Sequence, residues 1–278
     1  RVQYKLRDWV FSRQRYWGEP IPIIHCEKCG VVAVPEKDLP VRLPEVESYE
    51  PTGTGESPLA GISEWVNTIC PGCKGPAKRE TNTMPQWAGS SWYYLRYTDP
   101  HNEKEILDKK KGKYWLPVDM YIGGAEHSTR HLIYARFWHK FLYDIKVVTH
   151  GEPFQTYSNL GLIMGEDGRK MSKRWGNVVN PDEMVESYGA DALRVYEMFI
   201  GPFTQTAAFK ISGVAGAESF LRRVWQLQEK ISDTAKETPV LSLTHKTIKK
   251  IGEDIDNLRF NTAVSSLMIL TNAYNDQE

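Results

Sequence analysis

Apolar and polar positions change their rhythm several times along these 278 residues. The short run Val118-Asp119-Met120-Tyr121-Ile122 reads as a strand and closes on Gly123-Gly124. From Glu126 onward, Leu132, Ala135, Phe137, Trp138, Phe141 and Leu142 recur at helical spacing. Strand, glycine turn, helix is the local grammar of a doubly wound α/β fold. A second passage of this kind runs through residues 160–164 into the turn Gly165-Glu166-Asp167-Gly168. Pro181-Asp182-Glu183 starts a helix, and Gly189-Ala190-Asp191-Ala192 starts another. Past Pro202 the pattern becomes helical throughout. Phe220, Leu221, Val224 and Trp225 form one stripe, and Ile248, Ile251, Ile255 and Leu258 form another. A third helix, capped near Asn261-Thr262, carries Val264, Leu267 and Met268. The pattern predicts an α/β core at 1–24 and 79–200, then the first helices of an all-α bundle at 201–278. Residues 25–78 hold no helical period and are rich in proline and glycine, so they read as an inserted, loop-rich module. The lysine-rich stretch 101–113 reads as a surface excursion.

A chain that is 41% hydrophobic and 25% charged can bury a core and need not be disordered. Its 35 basic and 35 acidic residues balance. That argues against a dedicated polybasic nucleic-acid binder and confines any RNA-facing basic surface to a local patch. The aromatic and basic opening, Tyr4, Arg7, Trp9, Arg13, Arg15, Tyr16 and Trp17, is the candidate. No run reaches transmembrane length and no charged-then-apolar leader opens the chain, which predicts a cytoplasmic protein without a membrane partner. The chain begins Arg1-Val2-Gln3-Tyr4 and stops inside a helical pattern, so both ends read as cuts through a longer protein.

All four cysteines fall in Cys-x-x-Cys pairs, Cys26/Cys29 and Cys70/Cys73. Glycine follows the first pair (Cys29-Gly30) and lies within the second (Cys70-Pro71-Gly72-Cys73). Two such knuckles aim four thiolates at one tetrahedral ion, and with no open position that ion, zinc, is structural. The long intervening segment loops out at little further entropic cost. His25 adjoins the first pair and competes as a ligand. The alternatives are a redox dithiol or free buried cysteines, although a redox site needs one pair rather than two matching turns.

In Lys170-Met171-Ser172-Lys173-Arg174-Trp175-Gly176-Asn177, two lysines three apart in a glycine-flanked turn can face one highly charged group. A nucleotide triphosphate at the carboxyl edge of a parallel sheet presents such charge. Fixed ammonium groups lower the barrier to pyrophosphate departure. As a bare pattern, two lysines in a loop are more often a solvated surface. Gly123-Gly124-Ala125-Glu126-His127 allows close approach of a ligand to backbone, next to a helix N-terminus with unpaired N–H groups. His127 and His131 then lie one turn apart on one helical face. On spacing alone, two helix-start histidines bonded to nearby backbone is an equal reading, and a zinc pair is weaker because no third ligand is near.

Further motifs accompany these. They are Asp8-Trp9 with Ser12-Arg13-Gln14-Arg15-Tyr16-Trp17-Gly18 and Pro20-Ile21-Pro22; Gly89-Ser90-Ser91-Trp92-Tyr93-Tyr94; residues 121–131 from Tyr-Ile-Gly-Gly to Thr-Arg-His; Tyr188-Gly189-Ala190-Asp191; and Asn261-Thr262-Ala263. In this order the set resembles the class I aminoacyl-tRNA synthetases, and within them the bacterial leucyl branch rather than the isoleucyl or valyl one. The resemblance covers nearly the whole chain. It implies the second half of a Rossmann-type ATP-binding core, a zinc-ribbon-like insert and the start of an anticodon-binding helical domain. It implies that Lys170 and Lys173 act on the phosphates. It further implies that ATP is held by Gly123, Gly124, Glu126, His127, Met171, Ser172 and Lys173, and leucine by Ser90, Tyr93, Tyr121, His127 and His131. Mg-ATP, leucine and tRNA(Leu) are the implied substrates.

The chain departs from the family pattern in places. It contains neither the His-x-Gly-His type first motif nor the threonine-rich editing site, so the resemblance implies an N-terminal part, in cis or as a second subunit. It also implies that the chain alone makes little leucyl-adenylate. Leu160 stands where many relatives carry glutamine, Arg174-Trp175 replaces the commoner Ser-Lys ending, and no large insertion precedes Lys170. The competing readings are an isoleucine or valine enzyme of the same branch, and a non-catalytic zinc-and-helix module that binds RNA.

Overall fold

The computed structural model describes residues 11–50, 52–231 and 240–277. Tyr4, Arg7, Asp8 and Trp9 of the aromatic opening lie outside the described residues. The chain divides into two compact units. The first is made by the chain up to Asp119 with Glu126–Gln155, and the second by Met120–Ala125 with the chain from Thr156 onward.

In the first unit, β1 (Glu19–Pro20) pairs antiparallel with β6 (Thr83–Met84), in the register Glu19↔Met84 and Pro20↔Thr83. Arg13 and Thr83 exchange backbone hydrogen bonds of 2.9 and 3.1 Å, and the Thr83 hydroxyl donates to the Arg15 carbonyl at 2.7 Å. A Cβ on Gly18 would lie 2.4 Å from the Met84 carbonyl oxygen, so only glycine fits this crossing. Between these strands, β2 (Ile23–Cys26), β3 (Gly30–Ala33), α1 (Ser63–Val66), β4 (Asn67–Ile69) and β5 (Pro76–Arg79) follow. The four strands form an antiparallel sheet in the order β3-β2-β5-β4. Its core is Ile24, Cys26, Val34, Cys70 and Ala77. The segment read as loop-rich thus carries a sheet; its strands are too short for periodicity to reveal.

Among the described residues, four helices complete this unit: α2 (Trp87–Ser90), α3 (Tyr93–Tyr97), α4 (Lys109–Trp115) and α5 (His131–Asp144). Tyr94, Leu95, Leu107, Leu116, Ala135, Leu142 and Val148 pack together as their core. The 101–113 stretch is more organised than its lysines suggest. Asp108 caps α4 by accepting from Lys110 N–H at 2.9 Å and Lys111 N–H at 3.0 Å. The nearly buried Asp99 carboxylate accepts from the Asn102 amide at 2.7 Å, Asp108 N–H at 3.0 Å and the Lys111 ammonium.

Helix α5 begins at His131 rather than Glu126. A 3-10 turn over Ala125–Thr129 precedes it, and Arg130 leaves helical geometry at φ −131°, ψ −100°. Its buried stripe is Ala135, His139 and Leu142, while Phe137 and Phe141 are exposed. Hydropathy misses His139 because hydrogen bonds on both ring nitrogens make its burial tolerable: Nδ1 to the Tyr94 hydroxyl at 2.7 Å and Nε2 to the His150 carbonyl at 2.8 Å.

In the second unit, β7 (Val118–Gly124), from Met120 on, pairs with β8 (Phe154–Leu160), and β9 (Ile163–Met164) runs parallel to β10 (Ala207–Ala208). The single strand expected over 160–164 is broken at Gly161. A Cβ there would meet the Gln205 carbonyl oxygen at 1.8 Å, and its N–H donates to the Phe203 carbonyl at 3.1 Å. Helix α6 (Pro181–Tyr188) starts where proline predicts, with Asn180 Oδ1 accepting from Asp182 N–H at 3.1 Å. It packs with α7 (Ala190–Phe199) and α8 (Ile211–Gln226) around Met184, Ala192, Leu193, Tyr196, Phe209, Val214 and Ala217. The inward stripe of α8 is Val214, Ala217 and Phe220, whereas Val224 and Trp225 are exposed.

Helices α9 (Val240–Asp256) and α10 (Phe260–Asn275) pack on each other. Ile248 and Ile255 of α9 face outward, and Val240, Thr247 and Asp254 are buried. Asp254 accepts from Lys250 at 2.6 Å and the Thr262 hydroxyl at 2.7 Å, and pairs with Arg259, whose Nε lies 3.1 Å away. Thr262 is therefore engaged across the corner rather than capping α10, which has no side-chain cap. The chain is an α/β protein with a helical C-terminal part.

Candidate functional site

The two cysteine knuckles are the hairpin ends of the four-stranded sheet. Cys26 pairs with Gly30 (φ +72°) at the turn of β2 into β3. At the turn of β4 into β5, Cys70 N–H donates to the Gly75 carbonyl at 2.9 Å and Lys74 N–H to the Cys70 carbonyl at 2.9 Å. The ligand atoms of Cys26, Cys29, Cys70 and Cys73 all lie within 4.8 Å of one another, and Cys26 Sγ is 3.6 Å from Cys73 Sγ. All four are free thiols. Tetrahedral zinc with bonds of about 2.3 Å separates its sulfurs by about 3.8 Å, so the spacing fits that ion. Hydrogen bonding to Cys73, and then desolvation, push the Cys29 thiol up to about 12, while the Cys73 backbone N–H holds Cys70 down to about 7. His25, the competing ligand, is committed elsewhere: its Nε2 lies 2.9 Å from Glu80 Oε2.

Of the residues expected to line the amino-acid pocket, Tyr93 sits on α3 and His131 opens α5. Tyr93 and His131 have ring centroids 5.9 Å apart, and His127 stands edge-on to His131 at 6.1 Å. These two histidines do not share a helical face, because His127 belongs to the 3-10 turn. Burial, and then the neighbouring His127, lowers the His131 pKa and favours a neutral ring. Ser90 ends α2, and Trp87 of that helix stacks on Tyr134 of α5 at 5.2 Å. Glu19 reaches the Gly89 backbone just ahead of Ser90; burial raises its pKa against that hydrogen bond. Any side chain at position 89 would collide with it. Glu126 is exposed on the same 3-10 turn as His127. Tyr121 stands in the second unit on β7.

Gly123 and Gly124 end β7, and the Tyr157 hydroxyl of β8 lies 3.2 and 2.9 Å from their carbonyls. Tyr157 was not singled out by the sequence. A Cβ on Gly123 would meet nothing within 4 Å, so its glycine is not demanded by packing inside this chain.

The lysine turn is built from backbone and side-chain hydrogen bonds. Met164 bridges Lys170, and Gly165 N–H donates to the Arg169 carbonyl at 2.8 Å, closing a small hairpin. Asp167 accepts from Arg169 N–H at 3.0 Å and from the Asn177 amide at 3.0 Å, which together hold its pKa low. Asn177 Oδ1 accepts from Ser172 N–H at 2.9 Å. Ser172 in turn caps the 3-10 turn Lys173–Trp175, accepting from Arg174 N–H at 3.2 Å. Gly176 leaves that turn at φ +64°. Met171 packs toward the α6–α8 core. Lys170 and Lys173 are exposed, and among the described residues neither ammonium has an acidic partner within 4.0 Å. Two unpaired cations on a stiffened turn can stabilise charge on a bound phosphate chain. Asn177 was missed as a positioning group; its place five residues after Ser172 in a glycine turn was the available signal.

No helix among the described residues is long and apolar enough to cross a membrane.

Residues 3–210 match the family model described as tRNA synthetases class I (I, L, M and V). The chain is 60% identical over 277 residues to the leucine–tRNA ligase of Alkaliphilus oremlandii (strain OhILAs), covering 99% of this chain and 34% of that one. It therefore spans about a third of that relative's length. Its structure matches the agnB2 LeuRS of Agrobacterium radiobacter K84, solved as a ternary complex with tRNA and LeuAMS. That match has a TM-score of 0.90 and 37% identity, over 99% of this chain and 37% of that one. A Mycobacterium tuberculosis methionyl-tRNA synthetase in complex with methionyl-adenylate shares the fold at a TM-score of 0.52 and 17% identity, over 70% of this chain and 40% of that one.

Proposed function

The chain belongs to the class I tRNA synthetases of the I, L, M and V type, and on that premise we propose that it is the part of a leucine–tRNA ligase that carries the phosphate-facing lysines. The reaction is attack of the leucine carboxylate on the α-phosphate of ATP, with pyrophosphate leaving. The terminal ribose of tRNA(Leu) then takes the leucyl group. No covalent enzyme intermediate is needed, since positioning and charge stabilisation supply the acceleration.

The roles follow residue by residue. Lys170 and Lys173 offset the charge that grows on the departing pyrophosphate, with Met171 and Ser172 shaping the turn. Mg2+ travels with the ATP phosphates. Gly123 and Gly124 offer backbone to adenosine, and Glu126 and His127 contribute to its recognition. Ser90, Tyr93 and His131 supply flat and polar walls for leucine, with His127 and Tyr121 named to the same task by the resemblance. Such a pocket separates substrates that differ by one methylene by only about 1–3 kcal/mol. The four cysteines hold a structural zinc. Residues 1–24 and 79–200 are assigned to the second half of a Rossmann-type core, 25–78 to the inserted zinc module, and 201–278 to the start of the helical anticodon-binding domain.

The observation that carries this reading is the pair of exposed, unpaired ammonium groups on a hydrogen-bonded turn. The test is amino-acid-dependent ATP–pyrophosphate exchange with the full-length protein. Leucine is expected to sustain exchange, with isoleucine, valine and methionine far behind. Lys173→Ala is expected to lower the rate by about 10²–10³. Exchange driven best by isoleucine or valine would move the specificity, and no exchange with any amino acid would leave an RNA-binding module. The 278-residue chain by itself is expected to make little adenylate.

A further inference from the structure

The seven residues from Arg169 to Trp175 contain both lysines, and their two ends are tied by one aromatic ring. The Arg169 guanidinium carbon lies 5.3 Å from the Trp175 ring centroid, and that of Arg174 lies 5.1 Å from it. Arg169 is fixed on its own side by the hairpin bonds to Gly165 and Asp167. Trp175 is fixed on the other, with its backbone N–H donating to the Ser172 carbonyl at 3.0 Å. Neither guanidinium has an acidic partner within 4.0 Å among the described residues. The ring is 54% exposed, so core packing does not demand it there.

We propose that Trp175 is a positioning residue that clasps Arg169 and Arg174 and so holds Lys170 and Lys173 ready for the phosphates. This rests on the phosphate-facing reading of the lysine turn. A ring face attracts a guanidinium through its quadrupole without carrying net charge. A carboxylate in the same place would gather the arginines too, but would cancel the positive field that the phosphates need. Trp175 therefore shortens the excursions of the turn while leaving the charges of Arg169, Lys170, Lys173 and Arg174 undiminished. An interaction arranged before the reaction and used in its transition state raises kcat more than it lowers KM.

The test uses leucine-dependent pyrophosphate exchange by the full-length protein with Trp175→Ala, Trp175→Phe, Arg169→Met, the Trp175→Ala/Arg169→Met double variant and Lys173→Ala. Two exposed contacts of this kind correspond to about a 5- to 30-fold fall in kcat for Trp175→Ala. The ATP KM should change by less than about threefold, and Trp175→Phe should recover most of the loss because a face remains. The double variant should be no more than about twofold worse than Trp175→Ala, because one clasp is being removed twice. Melting temperatures should not move. Trp175→Ala within about twofold of the parent, effects that multiply in the double variant, or rates that fall in step with melting temperature would each overturn the clasp while Lys173→Ala stays inactive. A fully active Lys173→Ala would instead overturn the phosphate reading on which the clasp rests.

Discussion

In the cysteine sheet, four sulfurs come within 4.8 Å of one another because two hairpins of fixed register aim them. In the lysine turn, two ammonium groups are exposed on a segment held by the side chains of Asp167, Ser172, Asn177 and Trp175. One site is made by ladder hydrogen bonds, which the backbone of any residue but proline can supply in full. The other depends on particular side chains at particular turn positions. Backbone-built sites tolerate changes around the ligands; side-chain-built sites tolerate few.

The largest effect expected on either side of this comparison comes from metal. A four-sulfur zinc site contributes about 10–16 kcal/mol of binding free energy in small modules at neutral pH. Removing it with a strong chelator should lower the melting temperature and release one zinc per chain, measured by a colorimetric zinc assay. Chain isolated with no zinc, and a melting curve indifferent to chelator, would refute the ligand set. The turn is expected to answer in the opposite way. Asn177→Ala removes bonds to Ser172 N–H and Asp167, and should slow pyrophosphate exchange about 10- to 100-fold with little change in melting. A melting shift as large as that of chelation would erase the distinction between the two regions.

Asp99 sharpens the comparison, since it is buried like Cys26 and Cys70 yet held by side-chain bonds like the lysine turn. Lys111, and then Asn102, hold its carboxyl down to about 2, below the ordinary 3.8. A depressed carboxyl stabilises the fold fully above its unfolded value, and that contribution fades as pH falls through its folded one. Stability attributable to Asp99 should thus be constant from neutrality to about pH 4 and decline toward pH 2. Parent and Asp99→Asn melting curves should converge over that window. A difference that persists undiminished at pH 2 would exclude the assignment.

What could be read from the sequence follows the same division. Helix α6 was legible from Asn180-Pro181, because a cap and a proline act locally. Four matched cysteines and a glycine-flanked lysine pair were legible as types at a spacing. The start of α5 was not, since residues 126–131 hold no apolar position that could mark the break at Arg130. Nor were the buried His139 and Asp254, whose burial is tolerated only because partners distant in sequence satisfy them: Tyr94 and His150 for one, Arg259 and Thr262 for the other. Hydropathy scores a side chain alone, whereas these positions are decided by pairs. The link from Trp175 to Arg169 belongs to the same class.

The pairing of Glu19 with Met84 and Pro20 with Thr83 has a further consequence. Adjacent strands lie only about 5 Å apart, so everything from Ile21 to Asn82 leaves and rejoins the fold through one narrow doorway. A segment hung in this way can be shortened, lengthened or traded between lineages as a cassette, with or without its cysteines, provided the doorframe at Gly18 and Thr83 is kept.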